Sequence, residues 1–362
     1  MAGSGRPALP PPPRAPYTRP MIKPWIFELF AAPHAFEERF DAHESQAYFD
    51  EYLDLWASAE NCGFEGIFFS EHHFGLSYSP SPNLLIATIA QRTKTLRLGV
   101  MGMVPPHHAP WQLVEEIGML DHLTGGRLEI GTAMGLPQEL AQIGLDSAEA
   151  RARNDEALAI IDKALAAPVV SHHGRFWNFD DLRLTPRPLQ QPAPPRWVPV
   201  ISVSSARQAA RRGAKISTGF HPQAKVIEIF DAYRDEAAKC GRAAGPDDLC
   251  LRRQVTLRED AAALAEWRTS YRERLKVDPR LDTPDRPAIL DSPATHAFTI
   301  GDEEFIGGTS AAIADEIIDQ CRSAGAGHFA VIFNRSSGLA VLRDWYRAFG
   351  AGVIPKLRAA KV

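Results

Sequence analysis

Cysteine is scarce in this chain and never clustered. Four cysteines, Cys62, Cys240, Cys250 and Cys321, are spread over 362 residues, with no CxxC pair and no metal-ligand spacing. Neither a disulfide framework nor a cysteine metal site is expected, and the thiols read as reduced, in a cytoplasmic protein. Long apolar runs are missing too, since nothing approaches the ~18 residues that span a bilayer. Positive charge is not in excess: Lys and Arg total 40 against 44 Asp and Glu, a net charge of -4, so no basic footprint for nucleic acid exists. No GxGxxG turn follows an early strand, which argues against a doubly wound dinucleotide-binding sheet. No GxSxG elbow is present for a serine hydrolase. Residues 1–20 are rich in Pro and Arg and lack an apolar h-region. They are expected to form a disordered tail and not a secretory signal, leaving one domain over 21–362.

What is present is alternation. Eight apolar segments of strand length are expected at Lys23–Phe30, Ile67–Phe69, Leu96–Val104, Leu128–Thr132, Trp197–Ile201, Ala214–Phe220, Leu249–Leu257 and His328–Phe333. Helical patterns separate them. The first runs from about Ser45 to Asn61, where Tyr48, Tyr52, Leu55, Trp56 and Ala59 recur at steps of three and four. Early repeats of about thirty residues mark βαβ units and a parallel sheet. Eight such strands predict an α/β fold, a (β/α)₈ TIM barrel. Two segments depart from the repeat: an excursion over Pro168–Gln190, and a Pro- and Asp-rich stretch over Asp278–Glu304 before the last strand. Loops that long in compact domains are usually lids or disordered.

The chain is organised around Gly63-Phe-Glu-Gly-Ile-Phe-Phe-Ser-Glu-His-His-Phe-Gly75. An apolar strand stops there on Ser70, Glu71, His72 and His73. In a barrel of this kind, polar residues at strand C-termini are where catalysis is placed. If the strand persists, His72 and His73 face opposite sides, so one faces the site and the other supports it. The turn Ser202-Val203-Ser204-Ser205 opens a helix, with Arg207 one turn on. It reads either as a phosphate cradle or as an ordinary serine N-cap. Gly102, after Met101, either admits a flat ring against the backbone or serves close packing. Three His-His pairs (72–73, 107–108 and 172–173) lack the convergent spacing of a metal site, so no metal is expected. His107-His108 is expected to line the mouth, and His172-His173 to be solvated.

Together these residues resemble the bacterial luciferase-like flavin monooxygenases. The motifs are 63–73, Thr-Leu-Arg-Leu-Gly-Val (95–100), Leu-Val-Glu-Glu-Ile-Gly-Met-Leu-Asp-His-Leu-Thr-Gly-Gly-Arg-Leu-Glu-Ile-Gly (113–131) and Pro-Arg-Pro-Leu-Gln (186–190), with the helix after Gly308-Thr309. The likeness runs from about Pro24 to Leu357. It implies a TIM barrel that binds reduced flavin mononucleotide (FMN) at its C-terminal mouth. Such an enzyme uses O₂ as co-substrate to oxygenate a small organic molecule, often an aldehyde or ketone. By the same likeness His72 is the catalytic histidine, with Glu71 and His73 as neighbours. Met101 and Gly102 meet the flavin ring, in some members through a non-prolyl cis bond. Ser202, Val203, Ser204 and Ser205 match the phosphate turn, with Arg207 adding charge. Where the luciferase α chain has a reactive cysteine and a phosphate-binding arginine, this chain has Ala133 and Met134, so light emission is not implied. The resemblance further implies a homodimer and, with no dinucleotide fingerprint here, a separate flavin reductase. Two alternatives stand beside it: a deazaflavin-dependent hydride-transfer enzyme of the same superfamily, and a non-catalytic flavin-binding partner subunit. Phe74, Tyr78 and Trp111 are expected near the mouth, favouring an apolar or ring-containing substrate.

Overall fold

The computed structural model describes residues 21–33, 40–74, 77–276, 300–334 and 338–362. The expected tail, 1–20, and most of the expected lid, 278–299, lie outside the described residues. In chain order the elements are β1 (Lys23–Glu28), α1 (Ala42–Asn61), β2 (Gly66–Phe69), α2 (Pro82–Arg92), β3 (Arg97–Met103), α3 (Pro110–Leu123), β4 (Leu128–Thr132), α4 (Pro137–Gln142) and α5 (Ser147–Ala166). A hairpin, β5 (Val170–His173) and β6 (Asn178–Leu182), precedes β7 (Arg196–Pro199), α6 (Val203–Arg211), β8 (Lys215–Thr218) and α7 (Gln223–Lys239). The chain continues with β9 (Leu249–Thr256), α8 (Ala261–Lys276), β10 (Phe305–Gly307), α9 (Ser310–Ala324), β11 (His328–Phe333), α10 (Leu339–Gly352) and α11 (Ile354–Ala359).

Eight parallel strands close in the order β1-β2-β3-β4-β7-β8-β9-β11, with β11 pairing back onto β1. These are the eight strands that the sequence predicts. The short β10 is additional. It pairs with the C-terminal part of β9, above the part that β8 occupies.

Strand alternation sorts the core into two layers. Trp25, Phe27, Phe68, Met101, Trp197, Cys250, Ala330 and Ile332 pack together inside the barrel. Ile26, Ile67, Phe69, Val100, Leu251 and Val331 face the surrounding helices. Gly66 is small because Trp25 lies over it: a Cβ there would sit 2.3 Å from the ring.

Much of the quoted motif around 113–131 is structural stitching. The Asp121 carboxylate accepts the Gln190 backbone N–H at 2.6 Å and its side-chain amide at 2.7 Å. Arg127 donates to the carbonyls of Ala90, Thr93 and Leu96, closing the C-terminal end of α2. Gly118 lets the 186–190 segment cross α3, since a Cβ would lie 1.9 Å from the Pro186 carbonyl oxygen. Arg187 in turn donates to Leu165 and Ala167 at the end of α5.

The excursion is the hairpin β5–β6, pinned by Glu156 on α5. Its carboxylate accepts the N–H groups of Arg175, Phe176 and Trp177 and meets His172 Nε2 at 3.1 Å. The expectation that both histidines are solvated is therefore half wrong. His172 is buried by this bond, whereas the next residue, His173, points outward and is exposed.

The barrel floor carries a pH dependence. The Trp25 indole N–H donates to His328 Nδ1 at 2.8 Å, so that nitrogen must stay unprotonated. Burial, followed by the charges of Lys215 and Lys23, holds the His328 pKa well below its ordinary 6.5. The unfolded chain therefore binds a proton that the folded chain refuses, and this group's contribution is intact above pH 6.5 and falls as pH drops below it. Urea unfolding should show stability falling by up to about 1.4 kcal/mol per pH unit below 6.5 from this group. A His328→Gln chain should lack that component; identical slopes in both proteins would refute it.

Candidate active site

β2 stops at Phe69, and residues 70–73 leave the strand at the C-terminal mouth. The loop is tied down behind them. Ser70 N–H donates to the Glu28 carbonyl, His72 N–H to that of Ser79, and the Ser79 hydroxyl returns to Ser70. This anchoring holds Glu71, His72 and His73 in place without a continuing strand.

Glu71 is buried and serves three donors. Its carboxylate accepts the Val104 N–H at 3.1 Å, His108 Nε2 at 2.8 Å and His73 Nε2 at 3.1 Å. Burial alone would raise its pKa, but the bonds from His108 and His73, the charge of His108 and the Val104 N–H outweigh it and hold the carboxyl at about 2. His108 answers in the opposite sense. Burial lowers its pKa, yet the bond to Glu71, that carboxylate's charge and Glu116 raise it above the usual histidine value. His107 lies against His73, with ring centroids 4.5 Å apart; burial and the neighbouring His73 push its pKa down. Glu71, His73 and His108 thus form a hydrogen-bonded cluster beneath the mouth.

His72 stands apart. Its Nδ1 lies 3.1 Å from Glu139 Oε1, on the short helix α4. With Glu139 as the acceptor, Nδ1 carries the proton, and the neutral ring then presents its lone pair at Nε2. Among the described residues nothing bonds to Nε2. A buried carboxylate that orients an imidazole and fixes its tautomer is the arrangement of a general base. The expectation that strand alternation separates the two histidines does not apply, because β2 ends at Phe69; they differ instead in partner, His73 bonding Glu71 and His72 bonding Glu139. Glu139 was not expected from sequence. Its signals are weak, namely Pro137 at the first helical position and an acidic residue in the first turn after a strand.

The Met101–Gly102 peptide is cis, as in some members of the family that the sequence resembles. The β3–β4 register shifts between Val100 and Met103 at the same place. Gly102 is explained by close packing. A Cβ there would fall 2.7–2.9 Å from the backbone of Thr132 and Ala133. Met101 is buried among the aromatic residues inside the barrel.

The serine turn lies at the C-terminal end of β7, on the same mouth. Ser202 caps α6, and its hydroxyl accepts the Ser205 N–H at 3.2 Å. The Ser205 hydroxyl reaches back to the Ser202 N–H at 3.2 Å and bonds its carbonyl at 2.9 Å. Two of the four expected phosphate ligands are therefore occupied as a reciprocal cap. The N–H groups of Val203 and Ser204 and the exposed Ser204 hydroxyl remain, and Arg207 is exposed without a hydrogen-bond partner among the described residues.

Two of the three aromatic residues expected to line the mouth belong to packing. Tyr78 stacks on Phe49 at 5.5 Å and bonds Ser45, while Trp111 meets Phe179 of the hairpin edge-on. Phe74 is the exposed one, next to His107. Among the described residues no group of three or more His, Cys, Asp or Glu is placed to hold a metal, and no helix is long and apolar enough to cross a membrane.

Comparison with known proteins places this site in context. The family model described as luciferase-like monooxygenase matches residues 31–328. An uncharacterised protein, y4wF of Sinorhizobium fredii, is 33% identical over 292 residues, covering 77% of this chain and 83% of its own. The oxygenase component of a flavin-dependent trigonelline monooxygenase from Acinetobacter baylyi is 34% identical over 204 residues, 55% of this chain and 56% of that protein. Among solved structures, the monooxygenase RslO1 of Streptomyces bottropensis superposes with a TM-score of 0.74 at 25% identity, over 92% of this chain and 99% of that one. With its eight-stranded parallel barrel and a carboxylate-held histidine at the mouth, the chain is an enzyme of the luciferase-like monooxygenase family.

Proposed function

We propose that this protein is the oxygenase component of a two-component system, taking reduced FMN from a separate reductase and using O₂ to oxygenate a small organic substrate. The observation that carries the reading is His72, held through Nδ1 by buried Glu139 with Nε2 unpaired at the barrel mouth. The residues present fit the cofactor. The Val203 and Ser204 N–H groups at the start of α6, with the Ser204 hydroxyl, offer an anion the donors and dipole a phosphate requires. Met101 and Gly102, at the end of β3, would lie against its ring system. The chemistry supplied by reduced flavin held there would be electron delivery and activation of O₂. His72 Nε2 would take or return the proton of the oxygenation step, Glu139 would orient the ring through Nδ1 and stabilise the imidazolium that forms, and Glu71 would fix the loop from behind. No dinucleotide turn supports NADH oxidation by this chain, which favours an external source of reduced flavin.

Anaerobic titration of the purified protein with photoreduced FMN, followed by mixing with O₂, tests the reading. Saturable binding is expected, with bound flavin reoxidised more slowly than free flavin, and no NADH consumption by this protein with added FMN. Binding of a deazaflavin coenzyme in place of FMN would move the protein to hydride transfer. Catalytic NADH oxidation would remove the separate reductase.

A further inference from the structure

Arg252 and Arg253 are neighbours on β9, and alternation sends them to opposite sides. Arg253 points out toward the helices and is fully satisfied. It donates to Gln320 at 2.8 Å, to Gln223 at 2.8 Å and to Glu304 at 3.1 Å. Arg252 points into the barrel, two residues beyond Cys250 of the inner core layer. It is 7% exposed, and its Nε has no hydrogen-bond partner. Among the described residues no carboxylate lies within ion-pairing distance of it. Its guanidinium is instead held between two rings, 4.6 Å from the centroid of Phe27 and 4.7 Å from that of Phe220. Gly219 packs closely against the same residue: a Cβ there would lie 2.6 Å from the Arg252 carbonyl oxygen and 3.2 Å from its Nε. The nearby Glu304 spends its Oε2 on the Phe220 N–H and Arg253, while its Oε1 is unpaired among the described residues and makes no ion pair with Arg252, whose charge it favours only through space.

An arginine does not shed its charge in a protein, so a buried one that no anion hydrogen-bonds, with only the through-space charge of Glu304 nearby, is costly in the free enzyme. That cost is offset when an anion enters. The rings on either side orient the guanidinium plane, and the planar fork matches a carboxylate through two parallel hydrogen bonds. On the next inward position of the same strand, Gln254 is 2% exposed and bonds the Tyr271 hydroxyl at 3.0 Å, which places further polar groups beside the fork. Phe27 and Phe220 supply flat apolar surface at the same point.

We propose that Arg252 is the carboxylate-binding residue of the substrate site, and that the substrate is a small ring-bearing carboxylic acid. This rests on reading the mouth as the site of oxygenation, but the anion contact needs no flavin. The phosphate of FMN has its own donors at the start of α6, which leaves Arg252 for the substrate.

The test uses the flavin-free full chain and isothermal titration with benzoate and with benzamide, its neutral isostere. Benzoate is expected to bind about tenfold or more tightly than benzamide, the usual size of a charge-assisted pair. Arg252→Met should abolish that preference while leaving benzamide and reduced FMN affinities within about twofold. Arg252→Lys, which keeps charge without the fork, should restore part of it. Equal binding of the two ligands by the wild-type protein, or a preference that survives Arg252→Met, overturns the proposal, and the wild-type comparison decides even if a variant fails to fold. A loss of reduced FMN binding in Arg252→Met, without any benzoate preference in the parent, assigns the anion to the flavin and also overturns it. Benzoate selectivity lost on Arg252→Met in a protein that binds no flavin would uphold this inference and remove the proposed function.

Discussion

Replacing His72 with Ala is expected to lower single-turnover oxygenation by roughly 10²–10⁴-fold, the range contributed by a positioned acid–base group. The product would be quantified after mixing the reduced, flavin-loaded protein with O₂ and the substrate returned by a screen. Reduced FMN affinity should change little, because no phosphate donor at the start of α6 depends on His72. Glu139→Gln should fall between the two proteins. The amide can still touch His72 Nδ1, but it no longer stabilises the imidazolium formed when Nε2 takes a proton. It should therefore alter the pH profile of turnover as well as its height, which a merely structural role would not do. Unchanged oxygenation in His72→Ala would remove this histidine from the chemistry.

The second large effect concerns stability. Glu71→Ala leaves the Val104 N–H, His73 and His108 without their acceptor in a buried place. Because the two imidazoles are only half-buried, removing their acceptor should cost less than breaking a fully buried ion pair, about 1–3 kcal/mol, and urea unfolding should show a loss of that order. The direction of the pKa shifts sets where the loss is greatest. Glu71 is held at about 2 in the folded protein against an ordinary 4.5, so its contribution is present above pH 4.5 and fades as pH falls toward 2. His108 is raised above 6.5, so its contribution is present below that value and fades as pH rises through the folded pKa. The difference between wild type and Glu71→Ala should therefore peak between about pH 4.5 and 6.5. A Glu71→Ala/His108→Leu double variant should lose less than the sum of the single losses, since the stranded charge is then gone. A pH-independent, additive loss would mean that the cluster is ordinary packing.

Recognition and mechanism draw on different residues of this chain. The stretch at 113–131 is a specific match, yet Asp121, Arg127 and Gly118 stitch helices and the 186–190 segment together. They mark the family because the barrel's outer layer needs them. Glu139 and Arg252, which carry the mechanistic and substrate arguments, sit in stretches with no distinctive pattern. A single carboxylate in a short helix and one of two adjacent arginines look like surface residues until their burial is known.

Local chemistry determined the repeating architecture. Apolar runs of strand length alternating with helical periodicity predict the eight parallel strands, and their abrupt polar ends locate the mouth at residues 70–73. Those signals are legible because period and polarity are properties of neighbours in the chain. Only the tertiary structure decided which histidine is free and which is a strut. That choice depends on Glu139, 67 residues beyond His72, and on Glu71 meeting His108 across the gap between β2 and β3. It also decided that two of the four serine-turn residues are spent on capping their own helix. Likewise it left Arg252 without a partner while Arg253 found three. Sequence spacing sets which side of a strand a residue faces; what waits on that side is set by elements brought together when the barrel closes.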